Sequence, residues 1–152
     1  MHDLRAAHAA LKREDFTVAW KIANQYLNDD PDSPEANYLV GACLRSSGNL
    51  GLASTALGKA LLKEQKQPNL WMVYAATLHD LNRWEDAEQA FAIVHKMLPN
   101  DPMPPANIGA TYVQRGKWRD AITWCDKALK LDPTAHIAKI SKGFACLSLS
   151  DP

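Results

Sequence analysis

The sequence predicts an all-α fold, a right-handed α-solenoid of about nine helices paired as helix–turn–helix units. Three observations predict it. Residues 82–102 (NRWEDAEQAFAIVHKMLPNDP) and 116–136 (GKWRDAITWCDKALKLDPTAH) restate one another 34 residues apart, pairing Trp84 with Trp118, Ala87 with Ala121 and Pro99 with Pro133; such a period is that of a two-helix repeat. Trp84, Ala87, Phe91 and Val94 recur every three to four residues, one apolar helical stripe. No segment alternates apolar and polar residues as a strand does, and no Gly/Ser linker interrupts the chain.

The repeats tile residues 1–152 as a single array: 1–33, 34–67, 68–101, 102–135 and a half repeat, 136–152. In 1–33, Ala7, Phe16, Ala19 and Pro31 fall on the recurring marks, with helices expected at 3–13 and 16–28. The next three repeats place helices at 34–47 and 50–64, 69–81 and 84–97, then 103–115 and 118–131. In their first helices Gly41, Ala75 and Gly109 allow close helix approach. Gly48, Asn82 and Gly116 tolerate the left-handed backbone that ends a helix. Leu50, Trp84 and Trp118 plug the corner that follows, and Ala53, Ala87 and Ala121 let the second helix cross the first. Pro31, Pro99 and Pro133 stop the second helix; Gln65 stands at that mark in 34–67, with Pro68 three residues later. A ninth helix is expected over 135–149.

These marks resemble the tetratricopeptide repeat (TPR) family. The resemblance covers nearly the whole chain, strong in 68–101 and 102–135, good in 34–67 and weak in 1–33. Pro105 and Cys125 stand where bulkier residues are usual and predict softer packing there. The resemblance implies a concave face lined by first-helix side chains, where many TPR proteins hold a partner's peptide or helix. Helical stepping puts Tyr38, Arg45, Met72, His79, Met103 and Val113 on that face as the candidate peptide-binding groove. Ala42, Ala76 and Ala110 fill the deep row where the subclass that grips acidic chaperone tails often carries Asn, and only Arg45 among the lining residues is basic. A carboxylate clamp is therefore not expected.

Composition narrows the chemistry. Lys plus Arg and Asp plus Glu both number 17, a net charge of zero. Nucleic-acid binding and electrostatic membrane attachment both want a basic excess. No apolar run reaches a membrane span, and the N-terminus lacks the pattern of an export signal, so a cytoplasmic protein is expected. Cys43, Cys125 and Cys146, odd in number and set among apolar residues, read as reduced, buried thiols. The five histidines include no pair three or four residues apart, and no phosphate-loop, dinucleotide, nucleophile-elbow or zinc-protease motif occurs. His79 and Asp80 are neighbours in sequence and do not face each other on a helix. No catalytic residue, metal or cofactor is expected.

The sequence thus reads as a non-catalytic interaction module (scaffold, adaptor or chaperone) taking a protein or peptide in its groove. Two alternatives stand beside it. Residues 136–149 (HIAKISKGFACLSL) form an apolar first helix with no second helix after it. That favours either a fragment, the N-terminal recognition region of a larger enzyme such as a transferase, or a self-associating structural protein. On the latter, Ile140, Phe144 and Leu147 make a possible association surface and a homodimer through this helix.

Overall fold

The computed structural model describes residues 3–150. Among them it contains nine α-helices and no strand: α1 (Leu4–Lys12), α2 (Phe16–Asp29), α3 (Pro34–Ser46), α4 (Leu50–Lys63), α5 (Pro68–Asp80), α6 (Trp84–Met97), α7 (Met103–Gln114), α8 (Trp118–Leu131) and α9 (His136–Ser150). Each agrees with its expected span to within a residue or two.

The boundaries have local causes. The side chains of Asp3, Asp15 and Ser33 accept hydrogen bonds from backbone N–H groups of the first turns of α1, α2 and α3. Pro34 and Pro68 open α3 and α5, where a missing N–H costs nothing. First helices end in a left-handed residue, with φ of 81° at Gly48, 60° at Asn82 and 67° at Gly116. The same place in the first repeat holds Glu14, also at φ 60°, which the sequence does not advertise because glutamate seldom adopts that backbone. Backbone bonds of 2.9 Å from Asp15 to Ala10, Asn49 to Leu44 and Lys117 to Tyr112 close these ends in the Schellman pattern.

The chain forms two compact units, residues 1–81 and 82–152, each described on its own. In the first, neighbouring helices pack in order from α1 to α5, and α3 also touches α1 and α5. Its core joins Leu4, Ala7, Ala23, Leu39 and Val40 on one side and Leu57, Ala60, Leu61 and Leu70 on the other. In the second, α6 to α9 pack in order and α7 also meets α9; Ala106, Cys125, Ala128 and Ala138 form part of the core.

Small residues set the helix spacing. Ala19, Ala53, Ala87 and Ala121 are completely buried. A Cβ added at Gly41 would lie 2.6 Å from Leu57 Cγ, and one at Gly109 would lie 2.5 Å from Cys125 Sγ. Pro105 and Cys125, where the sequence predicts softer packing, are instead among the most deeply buried side chains. Cys125 fits because its partner Gly109 brings the α7 backbone against it. The thiol expectation also needs correcting: Cys43 and Cys125 are buried, but Cys146 is exposed. Its equivalent in the preceding repeat, Tyr112, is half-buried, whereas α9 leaves that edge open.

Candidate functional site

In the first unit, Tyr38 sits on α3 beside a cleft of about 630 Å³. His8 and Lys12 from α1, Glu35 from α3, and Gln67 and Asn69 at the start of α5 give it a polar lining. His8 Nε2 lies 2.7 Å from Glu35 Oε1, tying α1 to α3 at the rim. Tyr38 is half-buried, and burial raises its phenol above the usual value. His8 was not among the expected groove residues, though it stands 34 residues before Ala42, in the same central row.

Two helical turns further along α3 the character changes. Arg45 is not a free cation: its guanidinium donates to Asp80 at 2.8 Å, joining α3 to α5, while its Nε is buried without a hydrogen-bond partner. His79 lies beside this pair. Burial lowers its pKa; the Asp80 carboxylate opposes that shift and the Arg45 charge adds to it. Arg45 and His79 therefore belong to one charged cluster, while Tyr38 belongs to the cleft. Met72 is half-buried on α5.

In the second unit, Met103 is exposed at the start of α7 and Val113 is half-buried near its end. Beside Val113 runs an ionic link that sequence periodicity does not reveal. Arg115 donates to Glu88 at 2.6 Å and pairs with Glu85 at 2.9 Å, and Tyr112 donates its hydroxyl hydrogen to Glu88, so α7 is clamped to α6. Burial, reinforced by Glu88, pushes Tyr112 up to about 12.

α9 turns Ala138, Ser141 and Ala145 inward and leaves Ile140 and Leu147 each 73% exposed and Phe144 55% exposed. The Phe144 ring retains a tilted contact with Trp118, centroids 5.9 Å apart. Trp71 and Trp124 are half-buried in helix packing, whereas Trp20 is exposed beside a second, smaller cleft with Phe16 and Leu44. No group of three or more His, Cys, Asp or Glu among the described residues is placed to hold a metal ion, and no helix there is long and apolar enough to cross a membrane.

Comparison with known proteins gives one consistent picture. Residues 12–94 match the family model described as anaphase-promoting complex, cyclosome, subunit 3, and residues 106–135 match the tetratricopeptide repeat model. No curated protein sequence matches. Among solved structures, MamA superposes with a TM-score of 0.85 at 17% identity, covering 95% of this chain and 84% of that one. YrrB, described as a TPR protein with an unusual peptide-binding site, gives 0.84 at 20% identity over 91% of this chain and 71% of that one. The pilF protein of Pseudomonas aeruginosa gives 0.82 at 19% identity, over 97% and 67% respectively. At these identities the likeness is one of fold, the helical solenoid.

Proposed function

We propose that this chain, which belongs to the tetratricopeptide repeat family and, within it, to the family described as anaphase-promoting complex, cyclosome, subunit 3, is a non-catalytic module that binds a partner peptide or helix along its first-helix faces. The observation that carries the proposal is the cleft at Tyr38. It is roomy enough for several side chains, it is polar, and Tyr38 offers an aromatic face beside it. Peptide recognition of this kind needs apolar anchors with a few placed polar groups. Met72 and Met103 supply adaptable apolar contacts, and Val113 extends the apolar character in the second unit. Arg45 and His79 contribute as a paired cluster rather than as a naked positive charge, in keeping with a ligand that is not an acidic tail. YrrB, a protein of the same fold, is described as having a peptide-binding site.

On this reading α9 supplies a second surface, Ile140, Phe144 and Leu147, for association. Three free thiols suit a cytoplasmic setting. The test is selection of binders from a displayed random-peptide library, followed by measurement on the double variant Tyr38→Ala, Met72→Glu. Capture should be lost while helicity and unfolding midpoint hold. Undiminished capture by a folded double variant would sink the groove assignment.

A further inference from the structure

Trp20, Leu44 and Ser47 stand two 34-residue repeats before Glu88, Tyr112 and Arg115. In the second unit those three side chains close the junction of α6 with α7: Tyr112 reaches across to donate to Glu88, and Arg115 pairs with Glu88 and Glu85. The same junction in the first unit, α2 with α3, lacks that filling. Thr17 stands for Glu85 and Trp20 for Glu88, Leu44 is shorter than Tyr112 by the far side of a ring and its hydroxyl, and Ser47 lacks the whole reach of Arg115. A cleft of about 340 Å³ opens there between Phe16, Trp20, Leu44, Ser47 and Asn49. Leucine by itself does not open it, since Leu78, one repeat on from Leu44, is 1% exposed while Leu44 is only half-buried.

The lining holds no Asp, Glu, Lys, Arg or His. Its polar rim is partly spent. Asn49 occupies the N-cap position of α4 yet makes no capping hydrogen bond. Its amide donates instead to Ser47 Oγ at 3.0 Å, and Ser47 donates to the Leu44 carbonyl at 2.9 Å. The Asn49 amide oxygen accepts from none of the described residues, which leaves one acceptor at the edge of an uncharged, aromatic cleft.

We infer that this cleft, which shares no lining residue with the one at Tyr38, binds a tyrosine side chain presented by a partner polypeptide, its ring between Trp20 and Leu44 and its hydroxyl donating to Asn49 Oδ1. Three observations choose that occupant. The counterpart junction is filled by a tyrosine of this chain, so a phenol is the shape the repeat accommodates there. The uncharged lining suits a neutral ring with one hydroxyl rather than an acidic or basic side chain, which it would strip of water without a counter-charge. Trp20 is 42% exposed, so the cleft is open to solvent and admits a ring carried on a longer molecule, which would cover the apolar surface that Trp20 now shows to water.

The probe is N-acetyl-tyrosinamide, titrated against the full chain and followed by amide NMR shifts. Millimolar binding is expected, with shifts at Thr17, the Trp20 indole, Ser47 and Asn49, and it should weaken about threefold or more for N-acetyl-phenylalaninamide, which lacks the hydroxyl. The variant Trp20→Glu, Leu44→Tyr, Ser47→Arg copies the filled junction of the second unit; it should keep helicity and unfolding midpoint and lose the shifts. If that triple variant fails to fold, Trp20→Ala, at an exposed position, should lose them instead. Equal binding of the phenylalanine amide would overturn the tyrosine assignment. Binding of p-cresol without binding of the tyrosine amide would make the ligand a free phenol and overturn the polypeptide source. Shifts that are absent, confined to residues around Tyr38, or undiminished in a folded variant would overturn the site, the second of these leaving the Tyr38 groove standing.

Discussion

Gly109 and Gly143 share a place in the repeat and differ in what lies above them. That difference predicts opposite signs for one substitution. Gly109→Ala drives a methyl against Cys125 Sγ, with the Cys125 backbone nitrogen 3.3 Å away, so neither neighbour can yield cheaply. It should cost about 1–3 kcal/mol, the usual range for overpacking. Gly143→Ala meets no neighbour and removes backbone freedom from the unfolded chain, so it should stabilise by about 0.5–1 kcal/mol. Urea unfolding of the two variants measures both. Sequence identifies Gly41, Gly109 and Gly143 as equivalent and stops there, since a repeat mark records what a position must accommodate, not whether it is occupied. The same limit explains Cys146. Its apolar neighbours suggest burial, but among the described residues nothing covers that edge of α9 and the thiol is exposed.

At the level of the helix, starts, stops and turns were legible because their causes are local: capping side chains, proline at a first turn, a left-handed residue at an end. Cross-helix ion pairs were not. Glu88 and Arg115 are 27 residues apart, on neither the repeat period nor one helix. Which charges meet depends on how α7 lies against α6. The Arg115 side chain is only 15% exposed, whereas both members of the Arg83–Asp86 pair are about half exposed. Arg115→Ala should therefore cost about 1–2 kcal/mol, leaving Glu88 with the Tyr112 hydroxyl but without its cation. Arg83→Ala should cost no more than about 0.5 kcal/mol, the worth of a solvated pair. Thermal unfolding of the two variants side by side checks the contrast.

For the whole molecule, stability should fall on both sides of neutrality. Burial holds His79 below its ordinary value of 6.5, so in that range the unfolded chain binds a proton that the folded chain resists. Its contribution is complete above about pH 6.5 and declines as the pH falls toward the lowered folded value. At the alkaline end the shifts are upward, Tyr112 to about 12 and Cys125 to about 11. Their stabilisation is present below the unfolded values of 10.0 and 9.0 and is lost as pH rises toward the folded ones. Unfolding midpoints of the parent and His79→Gln, measured from about pH 7.5 down to about pH 5, should give a shallower acid slope for the variant. Parallel slopes would assign the acid loss to other groups.

The sequence by itself determined the fold class, the nine helices, their turns and the small-residue contacts, because a 34-residue period repeats the same short-range physics and each copy confirms the last. It also placed Tyr38, Arg45, Met72 and His79 on first helices. Only the tertiary structure decided that Arg45 is spent on Asp80, that Tyr38 shares a cleft with His8 and Lys12 from another helix, and that Gly143 stands open where Gly41 and Gly109 are filled. Such facts depend on which surfaces meet in space, and a period in one dimension carries no record of what is missing from the last dimension of packing.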